Sequence, residues 1–322
     1  MDPKPGFFEA AYRGKNDLWR YLVVALLVIV GYILGQMPFG VAALLKTGSG
    51  EEIDLTSFRE TADFSYLGLE PNMGLFLLLL SFVGALIFLC VGVNWIHRRP
   101  WQSLVSYYGR FKVGKIAFGF FIWLFLWLCV EAISYLFNPE LYEFYFSGSQ
   151  FFILLLIALL VLPLQTSFEE FFFRGWMMQG LGVYSGKKWI ALVFSTLAFA
   201  AIHSLNPEVK EYGYLPMMFY YLQAGLLLGL ITILDDSLDL ALGIHFATNF
   251  YAAVFFNYEA AALQTHSLFS IAEPLNVATV NLVFFALALV LILICKIKYN
   301  WKLDDVFSPI DPPEKEGEEL MA

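Results

Sequence analysis

Charge is what this sequence has least of. Only 15% of its 322 residues are Asp, Glu, Lys or Arg, against about 25% in soluble domains. Hydrophobic residues make up 59% and the mean hydropathy is +0.68. This balance excludes an ordinary water-soluble core and implies a chain solvated by lipid. Cysteine is nearly missing as well. Cys90, Cys129 and Cys295 each fall inside an apolar run, with no CxxC pair, so a disulfide framework and a four-thiolate metal site are both excluded. There is no basic stripe of the kind that binds nucleic acid, no internal repeat and no low-complexity linker. The HExxH pattern of helix-borne zinc proteases and the GxSxG nucleophile elbow are absent too. The net charge of −9 is concentrated at one end. Acidic residues crowd 304–319 among Pro309, Pro312 and Pro313, a composition that predicts a disordered acidic tail over 303–322.

Long apolar runs are what the sequence does have. Eight lie near 20–42, 73–96, 116–138, 148–168, 189–206, 214–234, 239–258 and 275–296. A bilayer core of roughly 30 Å takes about 20 such residues as helix, and backbone in lipid must bond to itself. The first run is too long for a signal-peptide core and no small-residue cleavage pattern follows it, so it reads as a retained helix. Placing the N-terminus inside puts Lys4, Arg13, Lys15, Arg20, Arg98, Arg99, Arg110, Lys112, Lys115, Arg174, Lys187, Lys188, Lys296, Lys298, Lys302 and Lys315 on one side. Only Lys46, Arg59 and Lys210 fall on the other. By the positive-inside rule the expectation is an all-α, polytopic membrane protein with eight transmembrane helices and both termini cytoplasmic. Residues 1–322 form one membrane domain. Its first part, 1–145, holds N-terminal helices, an acidic outer loop (46–71) and an aromatic, cationic interfacial helix (97–115).

Ionisable side chains inside spans are costly and usually functional. The fourth run ends in Ser167-Phe168-Glu169-Glu170-Phe171-Phe172-Phe173-Arg174. Glu170 and Arg174 stand four apart, share a helix face and can pair. Glu169 points about 100° away and is left free for chemistry or a ligand. Solvation of all three charges at a span end is the plainer alternative. The next run carries Phe199 and His203, again four apart; a lone intramembrane His is more often packing than chemistry. The seventh carries His245 and Asn249, a pair that also suits helix–helix hydrogen bonding. Glu131, in the third run, is read as an inert residue near the outer interface. Together the motifs say more. Residue 186, a glycine, is the midpoint of 169 and 203. If helix continues from 169 to 184, an antiparallel hairpin sets Glu169 and His203 at one depth, each about 21–23 Å from the turn. The depth of His245 matches less well.

A carboxylate beside an imidazole can take a proton from water, and a second His with an amide can bond a developing oxyanion. Glu169, His203 and His245 are equally a set that zinc accepts.

The string Glu169-Glu170-x-x-x-Arg174, then Phe199-x-x-x-His203, then His245-x-x-x-Asn249, resembles the CPBP intramembrane proteases. These comprise the CAAX prenyl endopeptidases and the bacterial Abi proteins. The likeness covers roughly 150–260, a CPBP-like catalytic core; residues 1–145 add no signature. The resemblance implies an intramembrane endopeptidase in a bacterial cytoplasmic membrane, acting on a peptide or membrane protein. Glu169 would be the general base with His203, His245 and Asn249 would hold the oxyanion, Glu170 and Arg174 would support the site, and Phe199 would shape the cavity. Members are described both as metal-dependent and as glutamate proteases, so a divalent metal such as zinc, on Glu169, His203 and His245, stays open. A cavity open to the cytoplasm is expected. A catalytically silent scaffold or chaperone on the same fold is the alternative. A proton-coupled transporter ranks last, since no paired broken helices or matching halves are seen.

Overall fold

Apolar runs with no water for their peptide groups close into helix. The computed structural model describes residues 5–49, 53–258, 261–271, 275–310 and 312. Its α-helices are α1 Leu18–Gly48, α2 Leu55–Thr61, α3 Pro71–Trp95, α4 Val113–Phe137, α5 Ser149–Leu160, α6 Leu162–Glu170, α7 Gln179–Ser185, α8 Lys188–His203, α9 Pro207–Tyr212, α10 Tyr214–Asp235, α11 Asp239–Phe250 and α12 Val277–Tyr299. Among the described residues, six helices are long and apolar enough to cross a membrane: α1, α3, α4, the continuous column Ser149–Ser185, α10 and α12. The architecture is that of an all-α polytopic membrane protein. The other two expected crossings are shorter. Helix α8 has 16 residues, and the 12 of α11 are extended by a five-residue π-helical turn, Tyr251–Phe255.

The helix from Glu169 does continue beyond its apolar run, as the hairpin requires. It ends at Ser185, where Gly186 takes φ 65°, a left-handed cap that costs glycine little. Between α6 and α7, Phe171–Met178 is π-helical, a wider turn that shifts which residues share a face. Helix α8 then returns antiparallel. Elsewhere small residues let helices touch backbone to backbone, as membrane packing favours. A Cβ on Gly84 would meet the carbonyl oxygen of Gly31, locking α3 to α1. One on Gly243 would meet that of Ile116, locking α11 to α4.

The two ends of the bundle differ. One gathers the chain ends and the cations. Lys15 N–H donates to His97 O at 2.7 Å, and Arg13 Nη1 donates to Tyr107 O at 2.6 Å. His97 itself is fully buried. Its Nδ1 bonds Lys15 O at 2.8 Å and its Nε2 accepts from Trp176 Nε1 at 3.0 Å. Burial pushes its imidazole down to about 4.

Two expectations fail at this end. Residues 97–115 form no continuous helix up to 112; only Trp101–Leu104 turns, as 3-10 helix. Arg98 and Gly109 take φ of 56° and 65°, left-handed values that interrupt a right-handed helix. Nor is the tail without structure from 303. Leu303–Phe307 forms a 3-10 helix, Ile310 is 4% exposed, and its N–H donates to Gly186 O at 3.1 Å. Apolar Val306 and Ile310 bury there despite the acidic neighbourhood. Lys4, Lys315 and the tail from 313 lie outside the described residues.

The other end holds α2, α9 and a small sheet. The sheet is formed by β1 Tyr142–Phe144, β2 Phe256–Asn257 and β3 Phe269–Ile271 in the order β1-β3-β2. Strand β3 pairs antiparallel with β1 and parallel with β2. Lys210 Nζ meets Glu60 Oε1 at 2.5 Å, and His266 Nε2 meets Glu70 Oε1 at 3.2 Å. Glu131 is not inert here. It accepts from Tyr142 Oη at 2.6 Å and from Tyr251 Oη, and so ties α4 to the sheet and to the end of α11.

Candidate active site

The site is built from the last two turns of α6, the end of α8 and the middle of α11. Because Glu169 and Glu170 are adjacent on a helix, they face different partners. Glu170 is fully buried. Its Oε1 receives Arg174 Nη1 at 2.8 Å and His245 Nδ1 at 2.7 Å. Arg174 is also fully buried; its Nη2 donates to Gly225 O at 3.1 Å and its guanidinium lies 4.5 Å from the centre of the Phe199 ring. Arg174 therefore belongs to the interior and not to the cations at the chain-end side.

Glu169, 4% exposed, has a different setting. Its Oε1 accepts from Gln165 Nε2 at 2.5 Å, while Oε2 has no hydrogen-bond partner. That oxygen faces His245 Nε2 at 3.4 Å and His203 Nε2 at 4.0 Å. The tautomers follow from the partners. His203 Nδ1 bonds Phe199 O at 2.7 Å, an acceptor only, so Nδ1 carries the hydrogen and Nε2 presents a lone pair. His245 Nδ1 faces a carboxylate paired with Arg174, so the same holds there. Three acceptor atoms thus converge without a donor among them. Such a point asks for a proton, a water or a cation.

Asn249 completes the group, since its Nδ2 donates to Gln165 Oε1 at 2.9 Å. Gln165 is the residue that motif reading missed. It is 6% exposed and bridges Glu169 to Asn249. Its signal was present: an amide inside an apolar run, four residues before a carboxylate. Phe199 stacks near both imidazoles, with ring centres 4.3 Å from His203 and 6.1 Å from His245. The sequence-derived residues Glu169, Glu170, Arg174, Phe199, His203, His245 and Asn249 therefore all meet. The α7–α8 hairpin matches the depths of Glu169 and His203 as expected, and His245 proves equally well placed.

Beyond His203, Tyr221 lies with its ring centre 4.5 Å away. Its hydroxyl donates to Glu208 and receives Asn206 Nδ2 at 2.9 Å. Burial raises the Glu208 carboxyl above the usual carboxylate range, against the Tyr221 hydrogen bond.

A cavity of about 660 Å³ opens beside these groups, lined by Glu169, His203, His245 and Asn249 on one wall and largely by apolar and aromatic side chains elsewhere. It reaches the end of the bundle away from the chain ends, through residues 205–208 and 261–263. Cytoplasmic termini and a cytoplasmic cavity are therefore not both met. The donor set suits zinc chemically. Among the described residues, however, no three His, Cys, Asp or Glu groups are arranged as a metal site. The 4.0 Å between Glu169 Oε2 and His203 Nε2 exceeds the about 3.3 Å between ligands of tetrahedral zinc. The residues as placed do not form a ready zinc site.

Comparison with known proteins agrees with the motifs. Residues 148–251 match the family described as type II CAAX prenyl endopeptidase Rce1-like. The three motifs lie inside that stretch, so the CPBP resemblance holds over it. The chain is also similar to the uncharacterized protein YyaK of Bacillus subtilis (strain 168), 29% identical over 291 residues, covering 88% of this chain and 95% of the relative. No solved structure matches the chain.

Proposed function

We propose that this protein is an intramembrane endopeptidase in which Glu169 activates water to hydrolyse a peptide bond of a membrane-associated peptide or protein. The observation that carries the reading is the partnerless Glu169 Oε2, 3.4 Å from His245 Nε2 and 4.0 Å from His203 Nε2, on the wall of a cavity large enough for a peptide segment. A water among these acceptors donates one hydrogen to Glu169 Oε2 and the other to an imidazole Nε2, and turns a lone pair to the carbonyl carbon. Glu169 takes its proton as the C–O bond forms. Glu169 then passes that proton to the amine as the C–N bond breaks. The tetrahedral oxygen is met by the remaining N–H of Asn249. His245, its Nδ1 held by Glu170, closes the wall beside that oxygen. Arg174 and Glu170 fix His245, Gln165 fixes Glu169 and Asn249, and Phe199 fixes the ring of His203.

The proposal includes eight crossings with both termini in the cytoplasm, α8 and α11 being the short ones. At 1.5 Å per residue α8 spans about 24 Å, somewhat less than the roughly 30 Å of a bilayer core. A bacterial cytoplasmic membrane is the proposed location, in keeping with the Bacillus relative. A bound divalent metal remains a separate proposal, tested by metal analysis of the purified protein.

The experiment is a comparison of new protein N-termini in membranes of cells carrying wild type or Glu169→Gln. Termini present only with wild type support the assignment. A full set of termini with Glu169→Gln refutes it.

A further inference from the structure

The side from which the cavity is entered follows from two independent placements. The first is charge. Setting aside buried Arg174, 13 of the Lys and Arg residues among the described residues belong to segments at the chain-end side, and only Lys46, Arg59 and Lys210 to the other. Contacts join these segments physically. Residues 13–20 pack on 96–107, and 186–187 on 309–310. Short loops with this bias stay in the cytoplasm.

The second placement is the cavity. Every connecting segment that lines it comes from the opposite side: Leu205, Asn206 and Glu208 before α10, and Ala261, Ala262 and Leu263 after α11. Among the described residues, none of 5–17, 96–112, 186–187, 236–238 or 300–310 contributes a lining residue. Leu205, at the rim, is 89% exposed. Ile29 and Ile202, also lining residues, are 54% and 52% exposed on helix faces suited to lipid.

The chain-end side is closed by contrast. Phe7, Phe8, Trp176 and Ile310 are buried there, and Gln179 Nε2 bonds both Phe7 O and Ser103 O at 3.0 Å.

We infer that the cavity is entered from the extracytoplasmic face and the adjoining lipid, and that its substrates are polypeptide segments on that face. Exported or membrane-anchored polypeptides meet this description; cytoplasmic C-termini do not. The word substrate rests on the endopeptidase reading above, whereas the side of entry does not.

The test uses the full chain in intact spheroplasts, with single substitutions Leu205→Cys, Glu211→Cys and Lys302→Cys, and a membrane-impermeant polyethylene-glycol maleimide read by gel shift. The unsubstituted protein is the blank, its three cysteines lying in α3, α4 and α12. Positions 205 and 211 should shift in intact spheroplasts, and 302 only after permeabilisation. Shift of 302 before permeabilisation, or of 205 and 211 only after it, overturns the inference. A small impermeant thiosulfonate added outside to an Ala262→Cys protein should block later labelling of that cysteine in permeabilised membranes; no block would show a cavity closed from outside. Cleavage sites that depend on Glu169 should map to extracytoplasmic segments, and sites in cytoplasmic segments would count against it. Labelling needs no turnover, so a failed hydrolase assignment leaves the entry side standing.

Discussion

The two ends of this bundle solve opposite problems. At the chain-end side most buried polar groups have partners, although Arg99 Nε and Nη2 and Ser103 Oγ have none. His97 bonds on both ring nitrogens, Gln179 bonds Arg99, Phe7 and Ser103, and Ile310 N–H donates to Gly186 O. At the cavity side the polar groups are buried but deliberately short of partners. Glu169 Oε2 and Glu208 Oε2 have none, and three acceptors face one another. An unmatched buried oxygen costs stability, so its retention beside a cavity supports the role proposed for Glu169. What sets the second end apart is that its acceptors converge on one wall of a cavity.

The largest effect that would break this contrast is at Glu170–Arg174, the buried ion pair beneath the site. Arg174→Met should cost about 3–5 kcal/mol by leaving a buried carboxylate unpaired, read as a lower thermal midpoint in detergent. Glu170→Leu with Arg174→Met should recover much of that stability yet stay inactive, since His245 loses its anchor. Recovery of activity in the double variant would mean that the pair does not position His245.

His97 gives the next effect, at the closed end. Its folded value of about 4 lies below the unfolded value of about 6.5. As pH falls from 6.5 towards 4, the unfolded chain takes up a proton that the folded chain refuses, so stability drops across that window and is unaffected above it. The loss is at most on the order of 3 kcal/mol. His97→Gln should flatten the difference in thermal midpoint between pH 7 and pH 5. An unchanged slope would remove His97 from the closed end's chemistry.

The smallest effect sharpens the open end. Gln165→Leu removes both hydrogen bonds of the bridge from Glu169 to Asn249 and should lower kcat/KM roughly 10- to 100-fold, the worth of two lost hydrogen bonds, with KM nearly unchanged. A rise in KM alone would assign Gln165 to binding.

Much of this was legible in the sequence because the bilayer enforces simple rules. Apolar length gave the six long spans, and spacing of four gave Glu170 with Arg174, Phe199 with His203 and the face shared by His245 and Asn249. Gly186 at the midpoint gave the hairpin. What stayed hidden depends on tertiary contact. The π-helical stretch after Glu170 leaves no mark in composition. Residues 97–112 look like an amphipathic helix until the left-handed backbone at Arg98 and Gly109 interrupts it. The acidic tail conceals Val306 and Ile310, whose burial orders it. Glu131 reads as a stray charge because its tyrosine partners are brought by a sheet and a distant helix. The cavity's side, finally, depends on which loops line it, which no local pattern records.

The central claim is that one unpartnered carboxylate oxygen carries out the chemistry. Its most direct test is single-turnover cleavage of a peptide spanning a Glu169-dependent site, by purified wild type and Glu169→Gln whose thermal midpoints have been matched. A loss of about 10²–10⁴-fold in the cleavage rate at equal stability is expected. Cleavage by Glu169→Gln within a few fold of wild type would contradict the account.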